Sequence, residues 1–286
     1  MFVPTFDDFD FHAHSSVSDG LLRPGEVVRW AQTRGTRWFA LTDHDDVRGL
    51  QEARAVAAEL GIGFVNGVEI SIEWQRLPIH IVGLGFDAGH PGLCAGLAAI
   101  RDGRQERARR MGAAFADIGI PGVLAGALKY AENPELISRA HFARYLVEIG
   151  LFRETGKVFE HYLTPGKPGY VEHRWPDLAQ ALAWIRAAGG VAVVAHPGRY
   201  ALSGQDMLRF LAEFRAAGGQ AIEVACGSHT PEHIRHFTRL ARQLGLHASR
   251  GSDFHAPGDC ERLAPLPDSL EPVWALLKLP ESSLSS

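Results

Sequence analysis

Short segments rich in histidine and acid recur along almost the whole chain, and each adjoins an apolar run typical of a buried strand. The segments are Asp10–His14, Thr42–Asp45, Gly67–Glu69, Leu77–Val82, Val193–Pro197 and Ser252–His255. Imidazole and carboxylate together form the ligand sets of divalent cations. The pattern therefore favours a fold that gathers several strand ends in one pocket, and it indicates a metal-dependent hydrolase.

The spacing inside two of these segments predicts shared metal ligands. Side chains alternate across a strand with a period of two, so His12 and His14 lie on one face and can hold the same ion. Asp253 and His255 repeat this spacing near the other end of the chain. A single histidine is more often a surface or core residue than a ligand, but two such pairs after apolar strands favour a metal site. Because no cysteine takes part, a structural zinc finger is excluded.

Strand and helix patterns alternate in two parts of the chain and predict its architecture. The alternation runs to residue 92 and resumes with a short strand at Gly169–Val171, whereas the stretch between is helical in pattern. We therefore expect an α/β barrel of residues 1–92 and 165–286 with an all-helical insertion, residues 93–164, that caps the substrate site. The metal motifs fall at the carboxyl ends of predicted strands, where barrel enzymes build their active sites.

The composition of the chain favours a globular cytoplasmic protein. The chain has 286 residues, 46% of them hydrophobic, which is enough for a large core. A net charge of −4 and a pI near 6.4 argue against binding of long duplex nucleic acid. No apolar run approaches the roughly 20 residues of a membrane span, and the N-terminus lacks the pattern of a signal peptide. Since three scattered cysteines fit a reducing compartment, we expect a cytoplasmic protein without a membrane or an obligate protein partner.

The motifs in their order resemble the PHP (polymerase and histidinol phosphatase) family of the wider amidohydrolase group. They read Asp-x-His-x-His, Thr-Asp-His, Gly-x-Glu, a histidine, Ala-His-Pro and Gly-Ser-Asp-x-His, and the resemblance covers residues 7–86 and 190–256. It implies a distorted (β/α)7 barrel that holds two or three divalent ions.

The resemblance also implies which residues hold each ion. The expected ligands are His12, His14, Glu69 and Asp253 for the first ion, Glu69, His80 and His196 for the second, and Asp19, His44 and His255 for the third. Many family members have histidine where this chain has Asp19. Because carboxylate is a harder ligand than imidazole, we expect Mn²⁺, with Mg²⁺, Zn²⁺ or Fe²⁺ as alternatives.

Shorter motifs make the chain most similar, within this family, to nucleoside 3′,5′-bisphosphate phosphatases, which are relatives of an enzyme that trims short RNA from its 5′ end. These motifs are residues 14–20, 67–71, 138–143 and 195–199. The similarity implies a phosphomonoesterase that removes the 3′-phosphate of a 3′,5′-bisphosphonucleotide. Adenosine 3′,5′-bisphosphate would yield AMP and phosphate, through attack of a metal-bridging hydroxide.

Catalytic and substrate-binding residues follow from that activity. Glu69, His196 and Asp253 would act at the reacting centre, and His229 is a candidate general acid, although a surface-loop histidine is an equal interpretation. A bisphosphate needs cations, and guanidinium suits phosphate best. The candidate substrate-binding residues are Asp19, Arg101, Arg104, Arg139, His141, Arg144 and Arg199. For the run from Arg101 to Arg110 a solvated helix face is an equal interpretation.

Acidic residues that flank the ligands have an expected supporting role. Asp10, Asp43 and Asp45 each lie next to a predicted ligand segment. Carboxylates in such positions commonly orient the imidazoles that hold a metal, so we expect that role for all three.

Other activities remain as alternatives. A 5′-to-3′ exoribonuclease acting on short 5′-phosphorylated RNA would use the same ions, and a histidinol-phosphatase-like phosphomonoesterase is a further alternative. A non-enzymatic metal-binding module would lack ligands, whereas each expected position here holds a competent residue. Hydrolysis of C–N bonds usually requires a metal-bridging lysine after a strand, and no lysine occupies such a position. The expected partner is therefore a small nucleotide or a short oligoribonucleotide.

Overall fold

A computed structural model describes residues 9–131, 133–173, 175–260, 263–277 and 279. Residues 1–8, on which the expected lack of a signal peptide depends, lie outside the described residues. Within the described ranges, no helix combines the length and apolar character that crossing a membrane requires.

Seven strands in the described residues pair in the order of the chain and form a nearly closed barrel. They are β1 (Phe9–Asp10), β2 (Trp38–Leu41), β3 (Gly63–Trp74), β4 (Leu77–Leu84), β5 (Val191–Val194), β6 (Ala221–Cys226) and β7 (His247–Gly251). The Phe11 amide donates to the Arg250 carbonyl at 3.1 Å and so links the first strand to the last. This arrangement confirms the predicted seven-stranded barrel.

The distortion of the barrel comes from β4, which runs antiparallel to both of its neighbours while the other pairs are parallel. β3 and β4 form a hairpin, with Gln75 at φ 49° and Arg76 at φ 66° in its turn. Positive φ at both central residues is the geometry that matches the right-handed twist of two antiparallel strands. β3 is one continuous strand of 12 residues.

Helices follow most of the parallel strands. Their bounds are α1 (Pro24–Thr33), α2 (Leu50–Glu59), α3 (Pro91–Asp117), α4 (Val123–Leu128), α5 (Arg139–Glu148), α6 (Thr155–Val158), α7 (Leu178–Ala187), α8 (Gly204–Ala216) and α9 (Pro231–Leu244). α7 packs on β5, and α9 packs on β6. All four residues of β5 are buried, because a strand in such a barrel is covered on both faces. This explains the continuous apolar runs that precede the motifs.

The chain forms two compact units. The barrel unit comprises the residues up to 97 together with those from 176 onward, and the helical unit comprises residues 98–175. The helical unit has a core of its own, in which Phe115, Phe142 and Leu163 are fully buried.

The strand predicted at Gly169–Val171 is wrong, because this segment is a turn followed by irregular chain. A Cβ at Gly169 would lie 2.4 Å from Cζ of Phe115, so glycine allows the backbone to approach this ring closely. The Val171 carbonyl accepts a hydrogen bond from Nε of Arg107 at 3.0 Å. Ring and side-chain contacts therefore hold this backbone, and no neighbouring strand pairs with it among the described residues.

Candidate metal centre

The strand ends of the barrel unit bring all nine predicted ligands into one cluster. Four overlapping groups have ligand atoms within 4.8 Å of one another: His12, His14 and Asp253; His12, Glu69 and His196; His44, Glu69 and His80; His14, Asp19, His44 and His255. Six imidazoles and three carboxylates thus converge from six strands. Glu69 and His80 lie within β3 and β4, and the other seven lie in segments that follow β1, β2, β5 and β7.

Local backbone conformation directs two of these ligands into the cluster. His196 follows β5 with φ 26° and ψ 58°, and Asp253 follows β7 with φ 54°. These are left-handed values that residues with a side chain rarely adopt, and such strain concentrates at functional sites. The chain therefore leaves each strand sharply at the residue that carries the ligand.

The first ligand group has the dimensions of a coordination site. Nε2 of His12 lies 3.1 Å from Nε2 of His14, and these two atoms lie 3.4 and 3.2 Å from Oε2 of Glu69. Oδ1 of Asp253 lies 3.6 and 3.4 Å from the same two nitrogens. Two atoms that bind one divalent ion at about 2 Å lie roughly 3.3 Å apart in tetrahedral coordination, and these five distances are close to that value.

Glu69 divides its two oxygens between groups of imidazoles. Oε1 lies 3.0 Å from Nδ1 of His80 and 2.8 Å from Nε2 of His196, and Oε2 lies 2.9 Å from Nδ1 of His44. Burial raises the pKa of Glu69, but the neighbouring imidazoles of His44, His80 and His12 outweigh it and hold the pKa well below its usual value. The carboxylate of Glu69 is therefore held in its ionised form and faces imidazoles with both oxygens.

Buried atoms without hydrogen-bond partners provide a test of whether metal ions fit this cluster. Among the described residues, five such atoms belong to it: Nδ1 of His44 and of His196, Oε2 of Glu69, and both carboxylate oxygens of Asp253. Buried polar atoms of this kind are rare unless a ligand or an ion engages them. Since all five atoms belong to residues of groups with ligand-like spacing, the residues present fit divalent ions.

The three flanking carboxylates bind backbone near the ligands, and Asp43 also reaches an imidazole through Ser18. Each accepts a backbone N–H next to a ligand, at 2.7 to 2.8 Å. The donors to Asp43, Asp45 and Asp10 are the amides of Ser15, Ser71 and Ser252, respectively. These carboxylates therefore fix the loops that carry the ligands. The Ser18 hydroxyl donates to Oδ1 of Asp43 at 2.6 Å and lies 3.4 Å from Nδ1 of His14. The expected orientation of imidazoles stays a prediction for Asp10 and Asp45.

Sequence reasoning missed Glu223, which contacts two ligands. It lies in β6 and is fully buried. Nδ1 of His12 lies 2.7 Å from its Oε1, and the His196 amide donates to its Oε2 at 2.5 Å. A signal was available, because a single carboxylate in the apolar run from Ala221 to Cys226 requires a partner wherever it is buried.

His229, the candidate general acid, has both ring nitrogens engaged by backbone. Nδ1 lies 2.9 Å from the Val224 carbonyl, and Nε2 accepts the Gly198 amide at 3.2 Å. Burial lowers the pKa of His229, which agrees with a neutral ring that donates at one nitrogen and accepts at the other. His229 therefore supports the turn after His196, and in this arrangement neither nitrogen is available to protonate a leaving group.

Arg199 is the predicted substrate-binding arginine that lies beside the cluster. Its guanidinium is 2.6 Å from Oδ2 of Asp253, and its side chain is 46% exposed. It borders an open cavity of about 400 Å³ whose other lining residues are Gly227, Ser228, Ser252, Asp253, His255 and Asp259. A cation and several polar groups thus face a space next to the ligand atoms.

The predicted arginines of α3 have separate partners in the helical unit. Nε of Arg101 lies 3.2 Å from Oε2 of Glu135, and the guanidinium of Arg104 lies 4.4 Å from the ring centre of Trp175. Burial, with the charges of Arg139 and Arg104, lowers the pKa of Arg107 to about 10. Burial is the larger cause, and the positive charges of Arg139 and Arg104 add to it.

Two predicted substrate-binding residues, Arg139 and His141, lie in the first turn of α5, and each makes a hydrogen bond to the backbone. Arg139 donates from Nη1 to the Leu163 carbonyl at 3.1 Å, and Nδ1 of His141 accepts the Ser138 amide at 3.1 Å. His141 therefore completes a capping box at the start of α5. Arg144 is exposed on the same helix.

Comparison with known proteins identifies the family. The PHP domain family matches residues 10–231. The chain is 51% identical over 275 residues to a 3′,5′-nucleoside bisphosphate phosphatase from Chromobacterium violaceum, covering 95% of this chain and 96% of the relative. It is 39% identical over 280 residues to a 5′-3′ exoribonuclease from Escherichia coli, covering 96% and 95%. An amidohydrolase structure from Chromobacterium violaceum, solved with bound sulfate and no metal, superimposes with a TM-score of 0.84 at 52% identity, covering 94% of this chain and 95% of that one. The chain therefore belongs to the PHP domain family.

Proposed function

We propose that this protein is a metal-dependent phosphomonoesterase that removes the 3′-phosphate from a 3′,5′-bisphosphonucleotide, leaving a 5′-nucleotide and inorganic phosphate. The observation that carries the proposal is the buried Glu69 carboxylate, which faces separate groups of imidazoles with its two oxygens. The 51% identity to a phosphatase of this specificity, over nearly the whole chain, supports the choice of substrate.

Different residues of the barrel unit would bind the two ions of such a site. His12, His14, Glu69 and Asp253 would hold one ion, and Glu69 would join it to a second at His80 and His196. The chemistry supplied by ions in such a site is activation of water near neutral pH and neutralisation of the phosphoryl oxygens.

Arg199 would bind the phosphate that reacts. Its guanidinium borders the cavity beside Asp253, and a planar fork of donors can hold two phosphoryl oxygens at once. Binding of phosphate would exchange one anionic partner of Arg199 for another, so the arginine stays paired throughout. Its role is to orient the phosphate toward the ligand cluster.

A third ion would lie at Asp19, His44 and His255. Oδ1 of Asp19 is 3.4 Å from Nε2 of His255, and Oδ2 is 3.7 Å from Nε2 of His44. The carboxylate at this position supports Mn²⁺ as the metal. Cysteine usage supports action in the cytoplasm, since the three cysteines are free thiols.

The helical unit, proposed as a cap, would supply contacts to the second phosphate and the nucleoside. Its candidates are Arg101, Arg104, Arg139, His141 and Arg144, and the positive charges of Arg104 and Arg139 that act on Arg107 support an anion site. The alternative substrate, short 5′-phosphorylated RNA, is favoured by the 39% identity to an exoribonuclease. Both substrates carry a 5′-phosphate, so the same cations serve either one.

Substrate preference is tested with Mn²⁺-loaded protein, by release of inorganic phosphate from the monoesters and by chromatography of the mononucleotides formed from a dinucleotide. We expect kcat/KM to be highest for adenosine 3′,5′-bisphosphate, compared with AMP, histidinol phosphate and a 5′-phosphorylated dinucleotide. Protein stripped with a chelator should be inactive and recover when Mn²⁺ is restored. Faster cleavage of the dinucleotide would support the exoribonuclease alternative, and fast turnover of histidinol phosphate alone would contradict a nucleotide substrate.

The phosphate contacts of the helical unit are tested with variants that keep its structure. His141→Gln retains the capping box, because glutamine at the third helical position accepts the same amide, and Arg139→Lys retains the charge. We expect each to raise KM about tenfold, since a charge-assisted hydrogen bond contributes about 1.5 kcal/mol or more. Metal content and melting temperature should stay unchanged.

Arg109→Lys is the matched control, because Arg109 is exposed and pairs with Glu106 at 3.0 Å. Its KM should equal that of the wild type. If His141→Gln and Arg139→Lys also keep wild-type kinetics, the phosphate contacts lie elsewhere.

A further inference from the structure

A single buried carboxylate connects two of the ligand groups. Oε1 of Glu223 is 2.7 Å from Nδ1 of His12, and its Oε2 accepts the backbone N–H of His196 at 2.5 Å. Glu223 is fully buried, and neither of its oxygens is among the buried atoms that lack a hydrogen-bond partner in the described residues. Both oxygens of this buried carboxylate are therefore used in contacts inside the barrel.

The first contact determines which nitrogen of His12 can bind an ion. A neutral imidazole carries its proton on one nitrogen and a lone pair on the other. Because the Glu223 carboxylate can only accept, Nδ1 of His12 must carry the proton. The lone pair of Nε2 then faces His14 and Glu69, at 3.1 and 3.4 Å.

The second contact holds a strained backbone. His196 has φ 26° and ψ 58° and precedes Pro197, and a residue with a side chain keeps such a strained conformation only where its surroundings fix it. The hydrogen bond from its N–H to Glu223 fixes it. In that conformation Nε2 of His196 lies 2.8 Å from Oε1 of Glu69.

We propose that Glu223 is a positioning residue that couples the two ligand groups on either side of Glu69. Through one carboxylate it sets the imidazole of His12 in the first group and the backbone of His196 in the second. This inference rests on the proposed metal site, and it assigns Glu223 no contact with the substrate.

Glutamine at position 223 cannot replace the carboxylate, because both partners of Glu223 are donors and an amide has one accepting end. If its NH2 group faces His196, two donors oppose each other. If its NH2 group faces His12, it must donate to Nδ1, and the ring proton then occupies Nε2, where the ion should bind. Either orientation therefore damages one ligand group.

The test is a Mn²⁺ titration of metal-stripped protein, far below the melting temperature, in competition with a chelating indicator. We expect Glu223→Gln to bind Mn²⁺ about 10–100-fold more weakly than wild type, the usual effect of losing a carboxylate behind a metal-bound histidine. A purely structural role would lower the melting temperature and leave the affinity of the folded protein unchanged. Mn²⁺ affinity within twofold of wild type would overturn the inference.

Two further variants complete the experiment. Glu213→Gln is the matched control, because Glu213 accepts from Nε1 of Trp74 away from the ligands, and its affinity should equal that of wild type. Glu223→Asp keeps the charge but is one methylene too short to reach both donors. It should weaken binding about tenfold and decides the question if Glu223→Gln does not fold. Wild-type protein that binds no Mn²⁺ would refute the proposed function itself, which separates that failure from failure of this inference.

Discussion

Glu69→Gln is expected to lower kcat/KM by about a thousandfold or more, because the change removes the charge that two groups of imidazoles share. Oε1 of Glu69 lies within 3.0 Å of His80 and His196, and Oε2 lies 2.9 Å from His44. Stabilisation by bound ions contributes several kcal/mol to such reactions, and each 1.4 kcal/mol corresponds to a factor of ten. Glutamine has nearly the same volume, so the barrel should still fold.

The loss should appear in metal content as well as in rate. Elemental analysis of Glu69→Gln after dialysis against Mn²⁺ should show fewer ions per chain than wild type, because an amide is a poor bridge between two cations. Glu73→Gln in the same strand is the matched control, since Glu73 belongs to none of the candidate ligand groups in the described residues. Its activity and metal content should match wild type. A Glu69→Gln protein with full metal content and a tenth or more of the activity would contradict the proposed site.

The ligand set could be predicted because the ordered motifs resemble those of the PHP family. Local spacing adds that His12 and His14 face one site, and these two residues do share a ligand group. Asp253 and His255 fall in different groups, and Asp253 departs from strand conformation with φ 54°. Strand ends then meet because alternating strands and helices form a barrel. Geometry of this kind depends on chain periodicity and needs no knowledge of distant contacts.

The role of Glu223 could not be predicted from local spacing. Its partner His12 lies 211 residues away in the chain, and no spacing connects them. The partners of Asp43 could not be predicted for a related reason, because its position next to His44 predicts proximity but not that it accepts the Ser15 amide. Partners of buried carboxylates are set by tertiary packing, which a single sequence does not display.

The arginines of α3 illustrate the same limit on a helix. The three-residue spacing of Arg101, Arg104 and Arg107 predicts one shared face. In the structure each guanidinium meets a different type of group: Glu135, the ring of Trp175 and the Val171 carbonyl, respectively. Helix periodicity therefore places the stems of these side chains, whereas irregular segments of the helical unit determine where the charged ends lie.

Gly251→Ala is expected to destabilise the protein and to weaken Mn²⁺ binding, because closure of the barrel and placement of His12 depend on the same contact. A Cβ at position 251 would lie 2.1 Å from Cβ of His12 and 2.8 Å from its backbone nitrogen. β1 must move away from β7 to relieve this overlap, since neither atom belongs to a flexible side-chain end. Overpacking of this kind costs about 1–3 kcal/mol, which a urea unfolding experiment measures.

The control is Gly204→Ala, because a Cβ there meets nothing within 4 Å, and its unfolding free energy should stay within about 0.5 kcal/mol of wild type. In Gly251→Ala the metal affinity should fall even where the protein is fully folded, because a displaced His12 loses its place 3.1 Å from Nε2 of His14. Lower stability with unchanged Mn²⁺ affinity would mean that the cluster tolerates movement of β1. A decrease in both stability and Mn²⁺ affinity would show that the contact between β1 and β7, which closes the barrel, also positions the metal ligands. Separation of these two strands would then release the ions.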